Sequence, residues 1–407
     1  MNQLDKEITH KPKVCIIYHF FAHYRGAVLQ ELLDSDSYNF FFAGAAEDPQ
    51  HSGIKAWDKL NPQRFILTHC KYIKGIMFQS KVIALSLRPD IRTLIFMGDM
   101  HFITTWVGAA LARLLGKRVY FWTHGWTRHE KGISETVRSA FYRLAHGLLL
   151  YGHYAKSIGV EKGFDPERLH VIYNSLDYET QKSVREKVTQ ESAQLTRSEL
   201  FPLTSAHPLI VYSARLIQGR RIDVLLEAMG ILKQEGHQVN LLIIGDGPER
   251  QTLEEQAQKQ NLSSHFFGPC YDESVLARLI MSANVTVSPG PVGLTAIHSL
   301  AYGTPVITHN NYQSQKPEFE AIIPNVTGEF YTEKSSSDLA RAIKAWTQTT
   351  WVDDDLRQKC YTVVDKFYNP SCQRALIERA LRGEPADDSE WRSMTGANSD
   401  HIGSVTR

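Results

Sequence analysis

The chain has 407 residues, with 45 Lys and Arg against 44 Asp and Glu for a net charge of +1; hydrophobic residues make up 43% and charged residues 22%. At about 150 residues per domain this suffices for two or three domains with cores of their own. The charge balance excludes a dedicated nucleic-acid binder, which carries a basic excess.

Cys15, Cys70, Cys270, Cys360 and Cys372 have neither zinc spacing nor the density of a disulfide framework, which indicates a reducing compartment. Residues 1–13 are polar and lack the apolar core of a signal peptide. The longest apolar stretch, 102–116, contains Arg113 and falls short of the roughly 20 residues of a bilayer span. The expected location is cytoplasmic, soluble or peripheral at the inner face of the membrane.

In chain order, short apolar runs alternate with helix-period stretches. Strands are expected at 14–18, 38–43, 94–97, 119–122 and 148–151, and helices at 27–33, 103–115 and 135–145. Strands spaced by helices imply right-handed crossovers and a parallel sheet. The stretch 71–81 mixes Lys with aromatic and aliphatic residues; it reads as a half-buried helix, with contact to anionic lipid as the alternative. A polar segment, 177–208, reads as one helix and a linker. A second series follows, with strands at 209–212, 240–244, 285–288 and 305–308. In its helix 223–234, Leu225, Met229 and Leu232 share one face at i, i+4 and i+7.

The fold class is therefore α/β, with two Rossmann-like, doubly wound parallel-sheet domains facing a cleft. Ligands are expected at the carboxyl ends of the strands. The boundaries are a first domain 1–180, a linker 181–205 and a second domain 206–365. A helix at 366–383 could return to the first domain, and a tail 384–407, poor in apolar residues, is expected to be disordered.

The most informative stretch is 287–306. A strand ends at Ser288, a Gly/Pro-rich turn follows, and a helix starts near Leu294. Free N–H groups and the helix dipole there would suit an anion, although such turns also serve plain connectivity. Arg215, Arg220 and Arg221 follow the strand at 209–212. Two guanidinium groups could neutralise a diphosphate without metal; the alternative is a solvated basic loop. Gly245-Asp-Gly247 is a lone Gly-x-Gly and weak evidence for a dinucleotide. Asp353-Asp-Asp355 has the look of a metal cluster, but it precedes a helix, where acidic residues cap the N-terminus.

The ordered set Ser213-Ala-Arg-Leu216, Ile244-Gly-Asp-Gly-Pro-Glu249, Phe266-Phe-Gly268 and 293–306 resembles the donor lobe of retaining glycosyltransferases of family 4, which have the GT-B fold. Thr123-His-Gly125 and 171–177 resemble that family's cleft histidine and interdomain turn. The resemblance implies an acceptor-binding first domain and a nucleotide-sugar-binding second domain. It implies a hexosyl transfer from a UDP-sugar or GDP-sugar to a saccharide or lipid-linked saccharide, with retention. Cell-surface polysaccharide biosynthesis, of the capsule or O-antigen type, is the setting. No cofactor or metal is expected.

Carried over by position, the resemblance gives Arg215 and Arg220 the departing diphosphate, and His124 the sugar near the reaction centre. Gly293, Leu294 and Thr295 would cradle phosphate or sugar oxygens, and Gly268 to Tyr271 would face the base. The family has two Glu residues where this chain has Gly290 and His298, the first on sugar hydroxyls and the second on ribose. Glu318 and Glu320 would restore a carboxylate to the sugar subsite. On the acceptor side, His23, Tyr24 and Arg25 follow the first strand; Asp99 and His101 end another; Arg128, His129 and Glu130 follow Gly125. Rival readings are a non-catalytic nucleotide-sugar binder or partner subunit, a nucleotide-sugar epimerase on the same fold, and a dehydrogenase using the Gly245 turn.

Overall fold

A computed structural model of the chain describes residues 11–50, 53–59, 61–129 and 132–396. It divides into two compact units, Met1–Leu176 with Pro370–Arg407, and Asp177–Asn369. No helix among the described residues is long and apolar enough to cross a membrane.

The strands of the first unit are β1 Lys13–Phe20, β2 Asn39–Ala45, β3 Phe65–Leu67, β4 Cys70–Ile73, β5 Ile76–Gln79, β6 Thr93–Met97, β7 Arg118–Thr123, β8 Gly147–Leu150 and β9 Leu169–Val171. Its helices before the second unit are α1 Gly26–Leu33, α2 Val82–Leu87, α3 Ile103–Leu114, α4 Ile133–Tyr142 and α5 His153–Glu161. Seven strands form one sheet in the order β3-β2-β1-β6-β7-β8-β9, and every pairing in it is parallel. Helices cover such a sheet on both faces, so its strands are continuous apolar runs. Val14, Cys15, Ile16 and Ile17 accordingly are at most 2% exposed. The stretch 71–81 is not a helix. It forms the antiparallel β4–β5 hairpin, which turns at Lys74-Gly75, both at positive φ, and buries the alternate residues Met77 and Gln79 of β5.

The second unit contains α6 Tyr178–Arg185, α7 Gln190–Leu200, β10 Leu209–Ser213, α8 Ile222–Gln234, β11 Asn240–Ile244, α9 Arg250–Lys259, β12 Ser264–Gly268, α10 Glu273–Met281, β13 Val285–Ser288, α11 Thr295–Ala301, β14 Val306–His309, β15 Gly328–Tyr331, α12 Ser336–Trp346 and α13 Asp354–Lys366. Its parallel sheet runs β12-β11-β10-β13-β14-β15. Alternation along β10 and β11 splits the core in two. Ile210, Tyr212, Leu241 and Ile243 face α8 and α12, whereas Leu209, Val211, Leu242 and Ile244 face α10.

The segment 181–205 is helical rather than a linker. Arg197 on α7 is 1% exposed, donates to the carbonyls of Ser282 and Thr350, and stacks 3.7 Å from the Trp351 ring, fastening this stretch to the second unit. Asp353 caps α13 by accepting from the Leu356 N–H at 2.8 Å.

After the second unit the chain returns to the first. In α14, Pro370–Arg382, Ile377, Ala380 and Leu381 join the first unit's core, and the Tyr120 hydroxyl donates to the Ala380 carbonyl at 2.7 Å. Residues 384–396 are ordered, contrary to the sequence expectation. Helix α15, Ser389–Thr395, buries Trp391 in a stack 5.2 Å from His153, and Asp388 pairs with Lys156 in a buried ion pair. Average polarity hid this anchor, because one Trp and one buried acid do little to change composition. Residues 397–407, the rest of that expected disordered tail, lie outside the described residues.

Candidate functional site

In a doubly wound sheet, the loops on either side of the point where strand order reverses splay apart and leave a crevice. The first unit reverses between β1 and β6, and a cavity of about 490 Å³ opens there. Its walls bring together Tyr24 and Arg25 after β1, Asp99 and His101 after β6, and His124 after β7. Arg25 is half-buried and lies 4.7 Å from the Tyr18 ring centroid and 5.3 Å from that of Trp122; it also donates to the Tyr151 hydroxyl. Rings hold this cation in place without neutralising it. His101 Nδ1 donates to Asp99 at 2.6 Å. His124 is exposed and its ring lies 4.9 Å from Tyr151.

His23 and Arg128 are not among the lining residues of this cavity. His23 turns outward and donates to the Lys55 carbonyl at 3.2 Å, and Arg128 is exposed. Glu130 lies outside the described residues. Sequence reasoning passed over His19, which also lines the cavity; burial and the nearby Arg25 charge lower its pKa to about 4. Its position at the end of an apolar strand was the available signal.

The second unit reverses between β10 and β13. The connection after β10 carries Arg215 and Arg220, and the connection after β13 carries Gly290, Gly293, Leu294 and Thr295. Three contacts join these connections. The Thr295 hydroxyl donates to the Ser213 carbonyl at 3.1 Å, Arg220 donates to the Pro291 carbonyl at 2.6 Å, and Gly290 packs on the Gly219–Arg220 backbone. Arg215 is exposed, and its guanidinium has no hydrogen-bond or ion-pair partner among the described residues.

The Gly245–Gly247 turn has a packing role. A Cβ on Gly245 would fall 2.1 Å from the Ala214 carbonyl oxygen and one on Gly247 2.2 Å from that of Leu216, so only glycine lets β11's turn lie against the Arg215 segment.

Gly290 is buried, and a Cβ there would meet the carbonyl oxygens of Gly219 and Arg220 at 2.8 Å. A side chain at this position would first have to displace the Arg220 loop. Gly290→Ala is therefore expected to lower stability by about 1–3 kcal/mol through overpacking. Urea denaturation measures this, and an unchanged midpoint would show that the loop yields freely.

On α11, His298 Nε2 donates to Glu273 at 2.8 Å, and the Tyr302 hydroxyl donates to the same carboxylate oxygen at 2.5 Å. Burial alone would raise the Glu273 pKa, but the His298 and Tyr302 contacts hold it down to about 2. Sequence reasoning missed Glu273, because the carboxylate beside His298 comes from another helix, α10. Gly268, at φ +91°, ends β12, and Tyr271 is 92% exposed on the connection between β12 and α10. Glu318 is buried and Glu320 half-buried on a 3₁₀ turn that packs against α11.

The five cysteines are free thiols, and burial pushes Cys15 and Cys360 up to about 12, so neither is a nucleophile at neutral pH. No group of three or more His, Cys, Asp or Glu among the described residues is placed to hold a metal ion.

Residues 199–362 match the family of glycosyl transferases group 1. That match spans Arg215, Glu273, Gly290 and His298. A GDP-mannose-dependent alpha-(1-6)-phosphatidylinositol dimannoside mannosyltransferase of Mycobacterium tuberculosis is 36% identical over 107 residues, 26% of this chain and 28% of that enzyme. An alpha-monoglucosyldiacylglycerol synthase of Streptococcus pneumoniae is 31% identical over 137 residues, 33% of this chain and 31% of that enzyme. The chain thus spans under a third of the length of these two relatives.

The Anabaena protein HepE, solved in complex with UDP, superposes with a TM-score of 0.65 at 15% identity, covering 91% of this chain and all of its own. Together with the two parallel sheets, this likeness shows the GT-B fold.

Proposed function

We propose that the protein is a retaining glycosyltransferase of family 4. It moves a hexose from a UDP-sugar or GDP-sugar to a hydroxyl of a saccharide or lipid-linked saccharide, in cell-surface polysaccharide biosynthesis of the capsule or O-antigen type and without a metal. The observation that carries the reading is the placement, at the second unit's strand reversal, of Arg215, unpartnered among the described residues, on the connection beside the glycine-rich turn before α11. Its support from relatives is that one is named as GDP-mannose-dependent, one makes a glucosylated lipid, and HepE was solved with UDP.

In this reading the bond from the anomeric carbon to the diphosphate breaks as the acceptor oxygen bonds to the same face. The departing phosphate oxygen takes the acceptor's proton. Arg215 and Arg220 stabilise the charge that builds on the diphosphate, and the N–H groups at Gly293, Leu294 and Thr295 assist. Main chain at Gly268 and Tyr271 faces the base. His124 contacts the donor sugar; Tyr24, Arg25, Asp99 and His101 line the acceptor's cavity. Glu273, held by His298, is assigned to the ribose hydroxyls, since an imidazole alone cannot receive two of them.

A thermal-shift series with UDP, GDP, ADP and NAD, with and without EDTA, tests the reading. One nucleoside diphosphate at ~100 times its dissociation constant should add about 2.7 kcal/mol, unaffected by EDTA. A shift with NAD alone would indicate a dehydrogenase, and silence throughout would favour a non-catalytic partner. Glu273→Gln should weaken that nucleotide by about 10–100-fold. It should also shrink the affinity gap between the nucleotide and its 2′,3′-dideoxy analogue. A gap of wild-type size in the variant would remove Glu273 from the ribose.

A further inference from the structure

The β4–β5 hairpin of the first unit has two unlike faces. Register pairs Lys71 with Phe78 and Ile73 with Ile76 on one face, and Tyr72 with Met77 and Cys70 with Gln79 on the other. The second face is anchored. Met77 is fully buried and Gln79 is 3% exposed, with the Gln79 side-chain amide donating to the Tyr18 carbonyl at 2.7 Å. The first face is open, with Ile73, Ile76 and Phe78 between 39% and 44% exposed, and Tyr72 near the tip is 56% exposed. Lys74 and Gly75 turn the tip with φ of 47° and 84°, a geometry that fixes the hairpin's reach.

Exposed apolar residues also lie on α2 and α3, which pack on each other, α3 also packing on β5. Ile83 and Leu87 lie at i, i+4 on α2, and Ile103, Val107 and Leu114 lie along one stripe of α3; all five are at least 38% exposed. Exposed apolar patches that continue over several elements mark interaction sites. Residues 59–89 contain four Lys and two Arg and no Asp or Glu, and residues 100–129 contain no Asp or Glu either. Lys71, Lys74 and Lys81 are exposed, with no acidic partner among the described residues.

We propose that this hairpin, with the outer stripes of α2 and α3, is a docking surface that seats the first unit on an anionic lipid bilayer. Apolar side chains enter the interface while the lysines meet lipid phosphates, a division that a uniformly apolar protein partner would not satisfy. A second copy is disfavoured by the same charges, because a twofold contact would set these lysines against themselves. The anchored face touches the end of β1, whose Tyr18 and His19 line the first unit's cavity, and Met77 N–H donates to the carbonyl of His101, also in its wall. A docked hairpin therefore holds that cavity beside the lipid surface.

Co-sedimentation of the full chain tests this, using vesicles of phosphatidylcholine alone or mixed with phosphatidylglycerol. Wild type should pellet with the mixed vesicles, weakly with phosphatidylcholine, and less at high salt. Removing each lysine should cost about fivefold in binding. The triple variants Lys71→Gln/Lys74→Gln/Lys81→Gln and Ile73→Ser/Ile76→Ser/Phe78→Ser should both stay in the supernatant. Both should keep the wild-type melting temperature and nucleotide shift, which separates failure of docking from failure of the transferase reading. The proposal is overturned if wild type ignores the mixed vesicles, if either variant binds them as wild type does, or if the apolar variant only converts a dimer to a monomer.

Discussion

Arg215→Ala is expected to lower sugar transfer by a factor of about 10²–10³, the scale of losing one charge-stabilising donor at a developing anion. Its melting temperature should stay at the wild-type value. The residues on either side are pinned, Ala214 N–H to the Ile244 carbonyl at 3.1 Å and Leu216 N–H to the Asp246 carbonyl at 3.0 Å. Between them the Arg215 side chain has no hydrogen-bond or ion-pair partner among the described residues, so its removal costs the fold little; exposed substitutions of this kind change stability by about 0.5 kcal/mol or less.

Arg220 provides the contrast. It already donates to the Pro291 carbonyl at 2.6 Å, so Arg220→Ala should lose stability along with activity. Arg215→Lys should recover part of the loss, because it restores a charge without the planar fork. Steady-state kinetics with nucleotide titration on the three variants would separate these roles. Wild-type turnover in Arg215→Ala would end the diphosphate assignment.

Which parts of this site were legible in the sequence follows from how the fold delivers them. The strands at 240–244 and 285–288 were readable to the residue, because each is a short run stopped by turn residues, Gly245 after the first and Pro289-Gly290 after the second. Three-residue strands such as β3 and β9 escaped, being too short for any period to show. The β4–β5 hairpin was misread because its turn is Lys-Gly rather than Asn-Gly, and because the consecutive apolar residues Ile76, Met77 and Phe78 hide the alternation that burial shows along β5. Arg215 and the turn at 290–295 were found because each directly follows an apolar run. Glu273 was not, because its partner His298 is 25 residues away and only the fold, which packs both α10 and α11 on α6, makes them neighbours. Gly290 looked like an empty carboxylate position; in the folded chain the Arg220 backbone already fills the space a side chain would need.

The second large effect is on acid stability. Between neutral pH and about pH 4 the folded chain should lose on the order of 3 kcal/mol for each of His153 and His170. Burial lowers both from 6.5 to about 4 in the first unit, where each is 7% exposed. Lys156 opposes protonation of both, Arg392 adds to this at His153 and Arg379 at His170, while Asp388 favours the charged form without reversing the result. A histidine held neutral in the fold but free to protonate when unfolded makes the unfolded chain the stronger proton binder within this window. Stability is therefore complete above the unfolded value of 6.5 and is lost as pH falls toward 4.

His153 also carries the Trp391 stack and the Tyr173 hydroxyl at 3.0 Å, so its protonation loosens the seat of α15 directly. Urea denaturation at about pH 7 and about pH 4.5 should show the loss in wild type. In His153→Gln/His170→Gln, stability at neutral pH should be lower but the difference between the two conditions smaller, because two proton-binding sites have gone from the unfolded chain. An equally steep fall in the double variant would assign acid sensitivity to other groups and leave α15 held by its ion pair alone.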